Sequence, residues 1–488
     1  MKKTTVITIF LFMLLLSVSC RNNTETDDAP TTASPTSDTT QSMADMPELP
    51  IQDFGGYEFK FLWPEPISES HFIHNELWVE QENGENIDDA VYKRNLAVEE
   101  KYNIKISCDM QSFADIPNTI SRMVSAGESS YDAFCTQILQ LSPLGINGKL
   151  ADFAGMKHFG PDMPWWNGSA MDDLSIAGKQ YSGTGDIIYS DDIYPYLTMC
   201  NLELIREYDL ENPYEIVRSG KWTADKMMEM AKGVPVDLNG DGKWDWDDKY
   251  GIALVNSGTS AFYFGFGMNI TAKDKDGLPY LVMNGEKTQS VLDKILEIYY
   301  SDNLTLNGNR NMASGLGLDH AHTILKCFTE NRALFIMATM IDVERLRASE
   351  VSLGLLPVPK YDEAQENYIC ILNDMTLLGV PANAPNLNRT SLVLSAMSRE
   401  SVSTLTPAFY ELVLTTKYLR DADSVEMLEL ILQTEKMPDL GRIYDYGSLY
   451  SGFVNLVVTN KTSFASFYEA NEQKALADIE KLKQVLTE

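Results

Sequence analysis

The alternation of strand and helix patterns in the first third of the chain constrains the fold most. A strand pattern repeats apolar side chains at every second residue, and a helix pattern repeats them at every third or fourth. The patterns occur in the order strand, helix, strand, helix, strand at residues 57–63, 87–102, 104–110, 116–126 and 131–136. This order predicts an α/β fold, in which a parallel sheet is wound with helices.

The ends of these strands indicate where a ligand would bind. Open parallel sheets bind ligands beyond the carboxyl ends of their strands. The first strand runs into Pro64, and the third ends at Thr136. We therefore expect binding residues in the loops that follow Trp63 and Thr136.

The length and charge of the chain limit its architecture and its partners. The chain has 488 residues, whereas a single domain usually has about 100 to 200, so we expect at least two lobes. A content of 44% hydrophobic and 22% charged residues is typical of a folded globular body. The net charge of -31 argues against a nucleic acid partner, because a polyanion would be repelled.

The first twenty residues have the pattern of a targeting signal. Lys2 and Lys3 precede an apolar run at 6–18, and Cys20 follows a short stretch of small residues. The run is too short to span a bilayer, so it predicts a signal peptide at 1–20. Small residues ending in a cysteine resemble the lipobox of bacterial lipoproteins, which implies cleavage before Cys20 and lipidation of its thiol. The alternative is an ordinary secretory signal with a chance cysteine.

A lipid on Cys20 would place the protein at the extracellular face of the cell membrane, anchored rather than spanning. Residues 21–50 are rich in Thr, Asp, Ser and Pro and contain no aromatic residue. Such a segment cannot bury enough apolar area to become ordered. We therefore expect a disordered tether at 21–50.

The other cysteines do not predict a disulfide framework or a zinc site. They are odd in number, they include no CxxC motif, and most lie in apolar runs, so we expect buried free thiols. These residues are Cys108, Cys135, Cys200, Cys327 and Cys370.

Several stretches of the chain resemble the extracellular solute-binding proteins of ABC transporters, of the carbohydrate type. The stretches are AVEEKYNIKI (97–106), SAGESSYDAF (125–134), GKLADF (148–153), GKQY (178–181) with 185–201, and LGLLPVPK (353–360). The stretch PVPKYDEAQENY (357–368) is similar to a motif of the lipoprotein members. Their order and spacing over about 400 residues match the family.

The resemblance implies a type II periplasmic-binding-protein-like fold, with two α/β lobes that close about a hinge. On this chain it implies a first lobe at 51–188 and 333–400, and a second lobe at 189–332 and 401–488. It also implies a monomer that captures a small polar solute, favoured to be a sugar or oligosaccharide, and delivers it to ABC permease subunits.

A loop at 237–248 has the ligand spacing of an EF-hand calcium site. Gly242 stands at the sixth position, where the loop must turn sharply, and Asp replaces the usual Glu at position 12. A strand pattern rather than a second helix follows, so we expect a calcium-stapled loop and not a calcium switch. The six predicted ligands are Asp237, Asn239, Asp241, the carbonyl of Lys243, Asp245 and Asp248. The alternative is a bare solvated turn.

Sugar sites stack aromatic side chains on ring faces and bind the hydroxyl rims with polar side chains. The stretch 256–267 could also face such a cleft. The residues that we predict to line the cleft are Trp63, Gln137, Asp186 and Tyr194, together with the aromatic loop at Trp165 and Trp166. For each of them, core packing is the alternative.

Two other classes of function stay open at this point. An anchored glycoside hydrolase would use a pair of carboxylates, but the sequence contains no GxSxG, HExxH or GxxxxGK[ST] motif, so we expect no enzyme. A solute receptor for a membrane sensor, or an anchored adhesin, would have the same sequence features.

Overall fold

The computed structural model describes residues 46–487, except 66–74, 161, 284, 302, 312, 347–348, 373–374 and 415–421. The predicted signal peptide at 1–20, the lipid anchor at Cys20 and most of the tether at 21–50 therefore lie outside the described residues. Among the residues that the structure describes, no helix is both long enough and apolar enough to cross a bilayer.

The described strands, in chain order, are β1 (Tyr57–Pro64), β2 (Ile104–Gln111), β3 (Ala133–Gln137), β4 (Tyr196–Asn201), β5 (Tyr250–Leu254), β6 (Thr271–Lys273), β7 (Pro279–Leu281), β8 (Thr305–Asn307), β9 (Ala333–Thr339), β10 (Leu353–Leu356), β11 (Cys370–Ile371), β12 (Thr376–Gly379) and β13 (Glu435–Lys436).

The described helices are α1 (Asn86–Tyr102), α2 (Ile116–Ala126), α3 (Ile138–Ile146), α4 (Gly168–Leu174), α5 (Ser190–Ile193), α6 (Leu202–Glu207), α7 (Pro213–Arg218), α8 (Ala224–Ala231), α9 (Gly258–Gly265), α10 (Glu286–Tyr300), α11 (His320–Thr329), α12 (Met340–Arg345), α13 (Leu387–Ser401), α14 (Leu405–Leu414), α15 (Ala422–Gln433), α16 (Leu440–Tyr444), α17 (Leu449–Val458) and α18 (Phe464–Thr487).

The alternation predicted for the first third of the chain is confirmed as β1, α1, β2, α2 and β3. Helix α2 coincides with the predicted range, and the other ends differ from prediction by at most two residues. The helix ends carry local signals that explain this agreement. Asn103 and Gly127 adopt left-handed backbone conformations just after α1 and α2, which ends each helix before the next strand or loop.

The first sheet has the strand order β12-β3-β1-β2. Strand β1 runs parallel to β2 and β3, and β12 runs antiparallel to β3. Helices α1 and α13 pack against each other, and α3 packs on β3 and β12. We call this sheet with its helices the first lobe.

The second sheet has the strand order β10-β4-β9-β5-β8. Strand β5 runs parallel to β8 and β9, whereas β4 runs antiparallel to β9 and β10. Every residue of β5 is buried, and β9 is buried up to its last residue, because helices α8 and α11 pack against these strands. We call this sheet with its helices the second lobe.

The strand pairing corrects part of the predicted lobe boundaries. We expected 333–400 in the first lobe, but β9 and β10 pair with β4 in the second sheet, whereas β12 and α13 of that range lie with the first lobe. We expected 401–488 in the second lobe, but α14 packs on α1. Contacts between residues far apart in the chain decide these assignments, and a local sequence pattern does not reveal such contacts. The remaining boundaries stay predictions.

The cysteine prediction is confirmed for the described residues. Cys135, Cys200, Cys327 and Cys370 are buried free thiols, and Cys108 is a half-buried one. Burial raises the pKa of the Cys370 thiol to about 11, which keeps that thiol protonated at neutral pH. These cysteines therefore serve as small apolar residues of the core.

Candidate functional site

Two edges of sheet, one in each lobe, lie close together where the chain crosses between the lobes. The Ser190 hydroxyl donates to the carbonyl oxygen of Thr376 over 2.6 Å, and Thr376 pairs with Gln137 at the carboxyl end of β3. Six residues later, Tyr196 begins β4 opposite Thr339, the carboxyl end of β9. Six residues span at most about 22 Å. We call the space between these two edges the interlobe gap.

A second segment crosses beside the first one. Pro195 and Leu372 form an antiparallel bridge, and Leu372 lies four residues before the start of β12. Helix α12, which follows β9, also contacts α5 and α14. Several segments therefore join the two edges, which is the arrangement of a hinge between two lobes.

A buried arginine fixes the start of the first crossing segment to the first lobe. The Arg94 guanidinium is fully buried and donates to the carbonyl oxygens of Ile187, Glu76 and Leu77 over 2.9 to 3.1 Å. The Glu76 carboxylate accepts a hydrogen bond from the backbone nitrogen of Tyr189 over 2.6 Å. Burial lowers the pKa of Arg94 to about 9, and Glu76 acts in the opposite direction. The guanidinium therefore stays charged at neutral pH.

The first-lobe side of the interlobe gap carries one half-buried amide, that of Gln137, beside the fully buried Thr136. Gln137 is half-buried and lies at the N-cap of α3, and the Thr136 hydroxyl donates to Oε1 of Gln140 over 2.9 Å. The backbone nitrogen of Ile138 donates to the carbonyl oxygen of Met375, which ties this end of β3 to the segment before β12.

The second-lobe side carries a cluster of three asparagines, Asn256, Asn307 and Asn309, which we call the asparagine network. Nδ2 of Asn307 donates to Oδ1 of Asn256 over 3.1 Å, and Oδ1 of Asn307 accepts the backbone nitrogen of Asn309 over 3.0 Å. Oδ1 of Asn309 accepts the backbone nitrogen of Asn256 over 2.6 Å. The Tyr196 hydroxyl donates to the carbonyl oxygen of Ser257, so this network lies on the side of the sheet where the chain crosses.

The charged side chains near the second edge already have protein partners. The Asp342 carboxylate accepts hydrogen bonds from the backbone nitrogen and hydroxyl of Thr339 and from Arg345. The Arg310 guanidinium lies 4.0 Å from the ring centroid of Tyr300. The groups left for a ligand at this edge are therefore the amides of the asparagine network and the exposed guanidinium of Arg310.

The six predicted cleft residues fall into three sets. Gln137 and Tyr194 lie at the crossing between the edges, although Tyr194 is only 1% exposed. Trp63 lies at the end of β1 with its side chain fully buried, and its indole Nε1 has no hydrogen-bond partner among the described residues. The remaining three, Trp165, Trp166 and Asp186, lie together inside the first lobe.

Backbone contacts hold this inner group in place. The backbone nitrogen of Asp186 donates to the carbonyl oxygen of Trp165, and Trp166 forms a bridge with Gly185. The Trp166 ring lies 4.9 Å from that of Phe159, and the Asp186 carboxylate accepts the Thr406 hydroxyl over 2.6 Å. These contacts give Trp165, Trp166 and Asp186 a packing role in this conformation.

Sequence reasoning noted the stretch that starts at Asn256 but missed Asn307 and Asn309. Strand β8 has only three residues, which is too short to show a periodic pattern. The only local signal is the sequence Asn-Gly-Asn at 307–309, which indicates a turn.

The predicted calcium loop folds through side-chain to backbone hydrogen bonds. The Asp237 carboxylate accepts the backbone nitrogens of Gly240 and Gly242, and Oδ1 of Asp241 accepts that of Lys243. Asp248 is buried, and its two oxygens accept the backbone nitrogens of Leu238 and Asp245. Among the described residues, no three His, Cys, Asp or Glu side chains form a group that could hold a metal ion. The calcium site stays a prediction.

Two adjoining cavities of ≈ 250 and ≈ 600 Å³ form a groove beside the hinge. They share Asp173, Lys436 and Met437. Other polar groups in the lining already bind protein atoms. The Tyr368 hydroxyl donates to the carbonyl oxygen of Val217, and the Asp439 carboxylate accepts the backbone nitrogen of Ile270. These polar groups of the groove are therefore already occupied by protein atoms.

The fold matches solved structures of sugar-binding proteins. A cyclo/maltodextrin-binding protein in complex with maltotetraose is 13% identical with a TM-score of 0.56, and the match covers 88% of this chain and 97% of that one. An ABC substrate-binding protein from Listeria monocytogenes in complex with cycloalternan is 13% identical with a TM-score of 0.53, over 88% and 99% of the two chains. A maltose/maltodextrin-binding domain from Bdellovibrio bacteriovorus bound to maltotriose is 12% identical with a TM-score of 0.54, over 88% and 100%.

No protein-family model matches the sequence, and no curated protein sequence matches it. The likeness is therefore one of fold, spread over most of the chain, at an identity too low to carry individual residues across. The chain has the two-lobed α/β fold of maltodextrin-binding and related substrate-binding proteins.

Proposed function

We propose that this protein captures a neutral oligosaccharide in the interlobe gap and delivers it to an ABC importer. The observation that carries the proposal is the crossing between the lobes, where the half-buried amides of Gln137 in the first lobe and of Asn256 and Asn309 in the second lobe lie at the carboxyl ends of strands. Hydroxyl-rich solutes need many hydrogen-bond partners and little net charge in their site. The maltotetraose, cycloalternan and maltotriose held by proteins of the same fold support this class of solute.

The proposed mechanism is closure about the crossing segments. A solute that contacts both edges stabilises the closed arrangement, and it can do so only by binding that arrangement more tightly than the open one. The closed protein would then be recognised by permease subunits. The anchored crossing segment, held to the first lobe by Arg94, supports a hinge with defined ends.

We propose that the protein binds its solute without altering it. The solved proteins of the same fold are binding proteins. Incubation with maltotetraose and cycloalternan, followed by chromatography of the products, tests this directly. Unchanged sugar is expected, and cleavage would favour a glycoside hydrolase. A receptor for a membrane sensor would also bind the sugar without cleaving it. Uptake of the sugar into cells, and the loss of that uptake when the permease genes are deleted, distinguishes a transport protein from such a receptor.

We also propose that Cys20 is lipidated and holds the protein at the extracellular face of the membrane. The support is the sequence alone, with an apolar run at 6–18 followed by small residues and a cysteine. Replacement of Cys20 by Ser should release the protein from the membrane fraction. Membrane retention of the C20S variant would contradict the anchor.

A thermal-shift screen tests the binding function. A ligand present at 100 times its dissociation constant adds about 2.7 kcal/mol to the free energy of unfolding, which is easily seen in the melting temperature. We expect maltose, maltotriose, maltotetraose or cycloalternan to raise the melting temperature of the purified protein. No rise with any neutral oligosaccharide would contradict the proposal.

A further inference from the structure

We propose that the asparagine network is the solute-contacting surface of the second lobe, and that the side-chain amides of Asn256 and Asn309 donate hydrogen bonds to solute oxygens. The inference rests on the proposed function, because it places the solute in the interlobe gap. It adds the residues that would position the solute on the second lobe.

The position of the network supports this role. Asn256 lies two residues after β5, and Asn309 lies two residues after β8. The two strands are parallel, with Leu254 opposite Asn307, so both asparagines follow carboxyl ends at the same edge. The hydrogen bond from the Tyr196 hydroxyl to the carbonyl oxygen of Ser257 places that edge beside the crossing segment.

The amide groups of the network leave two NH₂ groups for a ligand. An asparagine side chain offers one acceptor oxygen and an NH₂ group with two donor hydrogens. Asn307 is 2% exposed and uses both ends of its amide within the network. The oxygens of Asn256 and Asn309 each accept a hydrogen bond. Among the described residues, the NH₂ groups of Asn256 and Asn309 donate none.

The network also fixes the orientation of these two amides. If either amide turned over, its NH₂ group would meet a donor in place of an acceptor, and the existing bond would be lost. The backbone beneath is held as well, because the buried Tyr299 hydroxyl donates to the carbonyl oxygen of Val255 over 2.9 Å. Donors that are ordered before binding spare a ligand part of the entropic cost of association.

The NH₂ groups of Asn256 and Asn309 favour a ligand with neutral oxygen acceptors. Two half-buried NH₂ groups match the hydroxyl and ring oxygens of a saccharide. Asp342 is paired with Arg345, and the exposed Arg310, which keeps its charge while stacked on Tyr300, can also donate to saccharide oxygens. The net charge of -31 disfavours an anionic solute. We therefore infer a neutral oligosaccharide as the ligand of these two residues.

The test removes the side-chain NH₂ group of Asn256 or Asn309 and keeps the side-chain oxygen that accepts a hydrogen bond. Asn256→Asp and Asn309→Asp preserve the oxygen that the network uses and remove the NH₂ group. Asn212→Asp is the matched control, because Asn212 is exposed and caps α7 by accepting the backbone nitrogen of Tyr214, which an aspartate also does. Affinities for maltotetraose and cycloalternan are measured by isothermal titration calorimetry, with melting temperatures recorded in the absence of sugar.

We expect N256D and N309D each to weaken sugar binding about tenfold or more, with melting temperatures close to that of the unaltered protein. We expect N212D to change neither the affinity for sugar nor the melting temperature. If an aspartate variant fails to fold, Asn309→Ser removes the same donor without adding charge. Unchanged affinity in a folded N256D or N309D variant would overturn the inference and leave the proposed function standing. If the unaltered protein binds neither sugar nor any other neutral oligosaccharide, the proposed function fails and the inference fails with it.

Discussion

The ammonium group of Lys273 donates a hydrogen bond to the carbonyl oxygen of Asp172, with 2.5 Å between the two atoms. Lys273 lies on β6, in a separate two-stranded β6–β7 hairpin that follows α9 of the second lobe in the chain, and Asp172 lies on α4 of the first lobe. Lys273 also donates to the Ser175 hydroxyl over 3.3 Å, and the backbone nitrogen of Ala177 donates to the carbonyl oxygen of Gly277. The β6–β7 hairpin is therefore a contact between the lobes.

Replacement of Lys273 by Met should weaken this interlobe contact. The variant loses charge-assisted hydrogen bonds to Asp172 and Ser175, so the open arrangement gains population and solute affinity falls by about three- to tenfold. Lys275→Met is the control, because Lys275 lies in the same hairpin, is 86% exposed and pairs only with its neighbour Asp276. Calorimetry with maltotetraose measures both. Equal affinities of K273M and K275M would show that the contact does not bias closure.

Replacement of Arg94 by Met should destabilise the whole fold. The variant leaves the buried carbonyl oxygens of Ile187, Glu76 and Leu77 without their donor and the buried Glu76 carboxylate without its nearby cation. Loss of one member of a buried charge pair costs about 3 to 5 kcal/mol. Urea denaturation gives the free energy of unfolding, with the exposed Arg122→Met as the control. A loss below about 1 kcal/mol in R94M would mean that this anchor contributes little.

The Asp173 carboxyl should make stability depend on pH in mildly acidic solution. Burial raises its pKa, and the nearby Lys436 and Lys273 act in the opposite direction. A raised pKa means that the folded state binds the proton more tightly than the unfolded state, in which the carboxyl has a pKa of about 3.9. The contribution of Asp173 to stability is thus largest at low pH and falls as pH rises from about 3.9 through the folded-state value.

The measurement is the free energy of unfolding of the unaltered protein minus that of Asp173→Asn, obtained by urea denaturation from acidic to neutral pH. We expect this difference to decrease with rising pH and then to level off. A difference that increases with pH would show that the lysines dominate and that the folded-state pKa is lowered.

Calcium should raise the melting temperature if the loop at 237–248 binds it. Extracellular sites of this type bind calcium at about 10⁻⁴ to 10⁻³ M, so millimolar calcium should load the loop. Asp241→Asn keeps an oxygen for the backbone nitrogen of Lys243 and removes a charged ligand, so it should lose most of the increase. Differential scanning calorimetry with calcium and with a chelator measures the effect. Identical melting curves in the two solutions would contradict the predicted calcium site.

Much of the fold could be predicted because its signals are local. The period of apolar residues defines β1, α1, β2, α2 and β3, and left-handed residues such as Asn103 end the helices. The pairing of β9 and β10 with β4 could not be predicted, because antiparallel partners more than a hundred residues apart leave no local pattern.

The site was harder to predict than the fold. An aromatic residue at the end of a strand can point into a cleft or into the core, and the full burial of Trp63 illustrates the second case in this conformation. Gln137 and Tyr194 were predicted by their place at strand ends and crossings, and they do lie there. Asn307 ends a three-residue strand that shows no periodicity and Asn309 follows it, so their grouping with Asn256 emerges only from the tertiary structure.

Small-angle X-ray scattering of the purified protein, with and without a saturating oligosaccharide that raises its melting temperature, tests capture between the two lobes most directly. We predict a smaller radius of gyration in the presence of the sugar, because contacts to both edges stabilise the closed arrangement. The same scattering curve with and without the bound sugar would contradict closure of the lobes around the solute.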